Sequence, residues 1–413
     1  MVVLLLVLLS AEVGGMTFTE AQVIERALKE SPRLKAREYQ VEESQALTEV
    51  ARRWNNPQLR ISGLRYDRLL DPAMDRRTYG DHPFEKASIG LRWSPTELGQ
   101  RDSWVAEARV EEATAKAERE QTRRDMIALV RDLFAEVVNL ERQRTLAQSI
   151  VDQRAKWRDL IRSRVHNQAA TRFDQSLMEV EHINAMASLD EIEIRYQRSY
   201  DALLMHMGLP AGEKITFIGE GSHRCKPGKA IKDLLRKAET GNPMTEIAEA
   251  EIRAADAEHH RQWLSLIPWT DYLQLSYVLA GDNDPGYFRF QLGLSLPLFD
   301  WKSADRRASV ARSRRWLEKS RAANRDLSAQ IRHVAAEQQV QAKLVQRYQE
   351  SAEVIEEGLA YVNRSLESGE TNGMKEVLQL QSRLLTVEKA ALKAELDCQR
   401  GQIELDRLTA FSP

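Results

Sequence analysis

The chain has 413 residues with 30% charged side chains, and 60 Lys and Arg against 62 Asp and Glu leave a net charge of −2. Such a balance supplies no basic field for nucleic acid. Only 19 Gly and 12 Pro argue for long helices over a loop-rich fold, in a chain long enough for two or three ordinary domains.

The chain opens with Val2-Val-Leu-Leu-Leu-Val-Leu-Leu9, an apolar run that fits the core of a secretory signal and is too short to span a bilayer as a helix. Residues 1–15 are therefore expected to be a signal peptide cut after Gly15. No other apolar run approaches twenty residues, so no transmembrane helix is expected. Residues 19–30 read as a short helix with Ala21, Ile24, Ala27 and Leu28 on one face. Ser31-Pro32 caps and restarts a helix that runs to about Arg53.

Two strands follow, about 57–66 and 86–95. In the second, Ala87, Ile89, Leu91 and Trp93 alternate with Ser88, Gly90 and Arg92. Strand side chains point alternately to opposite faces, so one face is apolar and the other polar or small. Helical sequence then runs over 96–208 without a proline. Met126, Val130, Leu133, Val137, Leu140, Ala147, Val151, Ile161 and Val165 follow a register of alternate four- and three-residue steps that Arg144, Arg154 and Arg158 interrupt, the pattern of helices that supercoil on one another. The one break is His166-Asn-Gln-Ala-Ala-Thr-Arg172, read as a helix–helix turn.

The same order then recurs. Ile231–Glu239 is a short helix, Asn242-Pro243 restarts a helix to about Leu266, and strands follow at about 270–280 and 287–298. Pro32 and Pro243, like Pro57 and Pro268, stand 211 residues apart. Leu273, Leu275, Tyr277 and Leu279 alternate with Gln274 and Ser276, and Phe288, Phe290, Leu292, Leu294, Leu296 and Leu298 with Arg289, Gln291, Gly293 and Ser295. Proline-free helices fill 302–410, broken at Ser368-Gly-Glu-Thr-Asn-Gly373. The segments after the two turns match at a spacing of 201. Two structural repeats result, 16–230 and 231–413.

Four strands with matched apolar faces suit a membrane β-barrel, whose strands run about 9–11 residues. Ile89, Leu91, Leu273, Leu275, Phe290, Leu292, Leu294 and Leu296 are the candidate lipid-facing set, with Gln291 and Ser295 turned to the lumen. A half-buried sheet in a soluble α+β domain is the competing reading. Trp54, Trp93, Trp263, Trp269 and Trp301 lie near the helix-proximal strand ends, as interface tryptophans do. Asp67–Glu85 and Gly281–Gly286 are polar loops for the far end. Four strands leave open edges that lipid does not tolerate, so an oligomer is required.

From strand end to turn is about 100 Å of helix at 1.5 Å per residue. One long helix therefore pairs with two shorter ones stacked end to end. The left-over pieces, 19–30, 209–240 and the C-terminal end, are placed in a girdle around the waist. Cys225 and Cys398 are the only cysteines and are read as buried or idle thiols, with a bridge between them left open for an oxidising compartment. The eight histidines form no ligand-spaced pair, no phosphate loop is present, and no metal site, cofactor or catalytic set is expected.

Several segments stand in order along the chain: Met16-Thr-Phe-Thr-Glu-Ala with Ser31-Pro-Arg-Leu-Lys-Ala, Gly208-Leu-Pro-Ala-Gly212, Leu294-Ser-Leu-Pro-Leu-Phe-Asp300, and Gly369-Glu-Thr with Glu376-Val-Leu-Gln-Leu-Gln. In their order and spacing the chain resembles the TolC-type outer-membrane efflux protein family over nearly its full mature length. Asn56-Pro-Gln-Leu-Arg-Ile and Trp93-Ser-Pro-Thr-Glu-Leu-Gly-Gln-Arg101 look most like the heavy-metal cation efflux branch. The resemblance implies a mainly α fold with a membrane β-barrel. Long antiparallel coiled-coil helices would form a periplasmic α-barrel tunnel, and a homotrimer would share one twelve-stranded barrel in outer-membrane lipid.

It further implies a passive duct in a tripartite efflux system, fed by a periplasmic adaptor (membrane fusion) protein and an inner-membrane pump. The entrance and docking site would lie at the two turns, with Asn167, Gln168, Ala170, Thr171, Arg172 and Asp174 at one and Gly369, Glu370, Thr371, Asn372, Gly373, Lys375 and Glu376 at the other. Lys375 departs from the acidic ring expected of a closed gate. A duct for type I protein secretion and a non-pore periplasmic scaffold or adaptor remain the alternatives.

Overall fold

The computed structural model describes residues 16–62, 87–168, 170–218, 230–279, 285–298, 301–367 and 373–409. The expected signal segment, Cys225 and the loop Asp67–Glu85 lie outside these residues. In chain order the elements are β1 (Met16–Phe18), α1 (Glu20–Glu30), α2 (Pro32–Ala51), β2 (Gln58–Ser62), β3 (Ser88–Trp93), α3 (Gln100–His166) and α4 (Arg172–His206). Then come β4 (Ile215–Phe217), α5 (Ile231–Thr240), α6 (Pro243–Leu264), β5 (Trp269–Val278), β6 (Tyr287–Ser295), α7 (Ser303–Glu367) and α8 (Gly373–Leu408).

The long helices come in pairs of similar length. α3 has 67 residues and α7 has 65, while α4 has 35 and α8 has 36. α2 and α6 both begin at a proline, whose missing N–H is harmless in a first turn. The Ser31 hydroxyl accepts the Leu34 N–H at 3.3 Å and closes the start of α2.

The chain forms two compact units, and each draws on both sequence repeats. One comprises residues 1–36, 120–242 and 324–413. Its largest core gathers Val23 and Ala27 of α1, Met126, Val130, Phe134 and Val137 of α3, Leu203 and Leu204 of α4, and Phe217 of β4. A second core holds Leu234 and Ala238 of α5, Ile331 and Ala335 of α7, and Leu405 of α8. Val23 and Ala27 lie 211 residues before Leu234 and Ala238, and Val130, Phe134 and Leu204 lie 201 before Ile331, Ala335 and Leu405. The repeat spacings read from prolines and turns are thus also spacings between equivalent core positions.

Two details of this unit differ from expectation. The buried face of α1 is centred on Val23 and Ala27, while Ile24 and Leu28 pack at its margin. β1 pairs in parallel with β4, a two-stranded sheet that three-residue segments did not announce. Its anchor is Tyr200, whose hydroxyl accepts the Ile215 N–H at 2.6 Å and donates to the Glu213 carbonyl at 2.7 Å. Cys398 is fully buried, as the sequence allowed, but it is disulfide-bonded, which corrects the reading of it as a free thiol.

Ionic contacts tie α3 to α8 within this unit. Arg400 bridges Asp132 at 2.6 Å and Glu136 at 3.0 Å, Arg131 reaches Asp406 at 2.9 Å, and Arg407 reaches Asp125 at 2.9 Å. Partly buried and multiply bonded, these arginines act as clamps with geometry better than an isolated surface pair.

The other unit comprises residues 37–119 and 243–323. It contains the four-stranded antiparallel sheet in the order β2-β3-β5-β6. Below the strands, α3 meets α6 through Val110, Ala113, Ala250 and Ala254. Glu258 is the polar centre of this packing. It accepts from Arg261 and from the Ser103 hydroxyl at 2.7 Å each, and also from the Gln262 amide. The Arg261 hydrogen bond, with those of Ser103 and Gln262, lowers its pKa to about 2.

Candidate functional site: a two-faced sheet and the helix tips

The register of the sheet sorts its side chains into rows. On one face Leu59, Leu91, Leu275 and Phe290 stand side by side, and beside them Ile61, Ile89, Tyr277 and Phe288. Trp93, Leu273 and Leu292 make a further row on that face. On the other face Gln58, Arg92, Gln274 and Gln291 form one row and Arg60, Gly90, Ser276 and Arg289 the next.

The apolar rows are uncovered in the single chain. Phe288 is 74% exposed and Phe290 67%, and Ile89, Leu91, Leu275, Leu292, Leu294 and Leu296 are exposed as well, while Leu273 is half-buried. The opposite face is the more enclosed, with Ser276 at 4%. Large aliphatic and aromatic side chains facing outward in continuous cross-strand rows are the inverse of a water-soluble sheet.

Two local features shape the polar face. Gly293 sits under the Tyr272 ring, where a Cβ would collide with that ring, and the Arg92 guanidinium stacks on the same ring at 3.8 Å from its centroid. Register shifts between Thr270 and Tyr272, a bulge at the helix-proximal end of β5. There Trp93 donates its indole N–H to the Asn55 carbonyl at 3.0 Å and packs beside Trp54 at 6.4 Å. The strand alternation was legible in the sequence, but the assembly of Arg60, Arg92 and Arg289 on a common face required the register.

At the first helix tip, α3 ends at His166 and α4 begins at Arg172. Asn167, Gln168, Thr171 and Arg172 are exposed, and Gln168 takes the left-handed backbone conformation with φ 59°. Thr171 and Asp174 form a reciprocal cap. The Thr171 side chain accepts the Asp174 N–H at 3.1 Å, and the Asp174 carboxylate accepts from the Thr171 hydroxyl at 2.6 Å and N–H at 3.0 Å. Those bonds hold the Asp174 carboxyl below its ordinary range.

At the second tip, α7 ends at Glu367 and α8 begins at Gly373, so Gly373, Lys375 and Glu376 belong to the first turn of α8. Gly369, Glu370, Thr371 and Asn372 lie outside the described residues. The sequence missed the capping role of Asp174, although Thr171-Arg-Phe-Asp174 carries the spacing that signals it.

Among the described residues no helix is long and apolar enough to cross a membrane, and no group of three or more His, Cys, Asp or Glu could hold a metal ion. The outer membrane efflux protein family model matches residues 23–203 and 234–410. The chain belongs to that family. No curated protein matches it in sequence. Solved structures share the fold at low identity. The outer membrane protein VceC of Vibrio cholerae is 16% identical with a TM-score of 0.73, over 94% of this chain and 95% of that one. The MtrE outer membrane channel of Neisseria gonorrhoeae, in its open state, is 17% identical with a TM-score of 0.71, over 94% of this chain and 88% of the other. A membrane protein from Pseudomonas aeruginosa is 17% identical with a TM-score of 0.69, over 96% and 91%.

An outer membrane efflux protein is a channel and not an enzyme, which accounts for the absence of any catalytic motif in the sequence. This one is the outer-membrane component of a tripartite efflux system, with its helical part in the periplasm, and the family implies a trimeric channel.

Proposed function

We propose that this efflux protein is a passive duct whose sheet closes with those of two further copies, apolar rows to lipid and polar rows to the lumen. Ile89, Leu91, Leu273, Leu275, Phe290, Leu292, Leu294 and Leu296 then meet outer-membrane hydrocarbon, and Gln291, Ser295, Arg92 and Arg289 meet water. The single observation that carries this reading is the pair of dissimilar faces, continuous across all four strands, on a sheet whose outermost strands β2 and β6 are free. An open edge in hydrocarbon leaves backbone N–H and C=O groups unpaired, so closure by further copies is the physical solution.

The entrance is the tip pair. Asn167, Gln168, Ala170, Thr171, Arg172 and Asp174 of one turn, with Gly369, Glu370, Thr371, Asn372, Gly373, Lys375 and Glu376 of the other, set its width and charge. They also receive a periplasmic adaptor that couples the duct to an inner-membrane pump. The cargo is a heavy-metal cation, on the strength of Asn56-Pro-Gln-Leu-Arg-Ile and Trp93-Ser-Pro-Thr-Glu-Leu-Gly-Gln-Arg101.

The experiment is single-channel recording on the purified protein in planar bilayers, paired with export assays in cells lacking the chain. Conductance that shifts with Glu376→Lys, and restored tolerance to a heavy-metal cation but not to an apolar drug, are expected. A protein that never conducts refutes the duct. Conductance indifferent to Glu376→Lys moves the entrance elsewhere, and restored drug tolerance alone refutes the cargo.

A further inference from the structure

The chain as a whole is nearly balanced in charge, with 60 Lys and Arg against 62 Asp and Glu. The polar face of the four-stranded sheet is not. Its paired rows carry Arg60 on β2, Arg92 on β3 and Arg289 on β6, and no Asp or Glu. Asp271, the one acidic residue in these four strands, falls at the bulge between Thr270 and Tyr272, outside the paired register. The cationic bias is therefore local to the part of the sheet where the rows are continuous.

The residues between these arginines are held small. A Cβ on Gly90 would collide with Ser276, its cross-strand neighbour, and Ser276 is itself buried. The row Arg60, Gly90, Ser276, Arg289 thus has long cationic side chains on both outer strands and a low floor between them. In the next row Arg92 stands between Gln58 and Gln274, and its guanidinium lies on the Tyr272 ring at 3.8 Å. Arg289 donates to the Tyr287 hydroxyl at 2.9 Å, and both Arg60 and Arg289 are exposed. Among the described residues none of the three has an acidic partner. A ring face and a phenol hydroxyl leave the positive charge uncompensated, and arginine keeps that charge at any working pH.

We propose that the strand section of the duct selects for anions, and that Arg60, Arg92 and Arg289 are the residues that set this preference. The inference rests on the duct reading above, which turns the polar rows to the lumen, and it narrows the form in which cargo crosses. Rings of guanidinium groups favour anions in a pore as rings of carboxylates favour cations. Glutamine and serine alone would keep such a lumen wet, so wetting does not account for three unpaired charges of one sign. A bare heavy-metal cation is disfavoured in this section. A complex of the same metal with an excess of anionic ligands, such as chloride or thiolate, is favoured. A closed barrel of three sheets is wide against a Debye length of about 8 Å at physiological ionic strength, so the bias is a modest filter that strengthens as salt is diluted.

The test is the reversal potential of the purified full-length protein in planar bilayers of neutral lipid, under a gradient of potassium chloride. The parent is expected to pass chloride over potassium by a ratio on the order of threefold near 0.01 M salt, where the Debye length is about 30 Å. The ratio should approach one at 1 M salt, where that length is about 3 Å. Arg60→Gln, Arg92→Gln and Arg289→Gln together remove the preference, and permeability to the anionic cadmium–EDTA chelate falls with it. The same three positions changed to Lys keep it. Arg60→Gln alone, at an exposed position, lowers the ratio partway and serves as the test if the triple variant does not assemble. A parent that never conducts refutes the duct, and this inference with it. A conducting parent that prefers potassium overturns the inference and leaves the duct standing. So do Gln variants that keep the parent's ratio or its chelate permeability, and a Lys variant that loses the preference as the Gln one does.

Discussion

Neighbouring residues of β6 point in opposite directions, and the proposed function turns on that alternation. Phe290 stands in an apolar cross-strand row and Gln291 in a polar one. An Arg on the lipid side near mid-bilayer is destabilising by about 2–4 kcal/mol, whereas lumen positions tolerate charge. Phe290→Arg is expected to lower the yield of membrane-assembled protein sharply and Gln291→Arg to leave it near the parent's, measured by heat-modifiable mobility of membrane fractions. Glu258 gives a second residue-scale prediction. Its carboxyl titrates near 2 in the folded chain, below the ordinary 4.5, so its contribution is complete above about pH 4.5 and is lost as pH falls toward 2. The gap in thermal midpoint between parent and Glu258→Gln should therefore be widest near neutrality and narrow on acidification; a constant gap would refute the assignment. The strand alternation could be read directly from Phe288 to Leu298, because a period of two needs no partner. The Glu258 cluster could not, since Ser103 joins it from 155 residues away.

Among the elements, the long helices were the most legible, because absence of proline and a three-four spacing survive without tertiary information. α3 and α4 meet at the turn expected from His166 to Arg172. The short sheet of β1 and β4 was not legible, as three residues carry no period and pair across about two hundred positions. Nor did the sequence mark Val23 as the centre of the α1 face, since an apolar residue beside Ile24 fits two adjacent stripes equally. At the α4 start, the Thr171–Asp174 cap satisfies donors that a helix end leaves free. Thr171→Ala should destabilise that turn by about 1 kcal/mol. Hydrogen exchange is expected to rise at residues 172–175 and stay unchanged in the middle of α4. Uniform exchange across α4 would mean that the cap holds nothing.

For the molecule as a whole, the repeats expected from the sequence do not coincide with the packing units, because both compact units draw strands or helices from each half. Prolines and turns mark the copies, but nothing local in a helix says where one packing unit gives way to the next. Cys398 joins the folded unit through a buried disulfide, in keeping with an oxidising periplasm. Cys398→Ser should lower stability by about 2–4 kcal/mol, seen as a lower thermal midpoint under non-reducing conditions. Reductant should leave that variant unchanged while lowering the parent, and an equal response of both would show that the bond carries no stability.

The alanines between α3 and α6 have a consequence for motion. Ala113, Ala250 and Ala254 possess no side-chain rotamers, so their packing freezes no side-chain entropy and has no alternative arrangement to adopt. The seam can slide or separate but cannot repack. Around Phe134 the neighbours are Met126, Met207, Leu203 and Leu204, long side chains with several conformers each. Larger substituents are therefore expected to be accommodated around Phe134 by changes of conformer, whereas at Ala113, Ala250 or Ala254 they push the two helices apart.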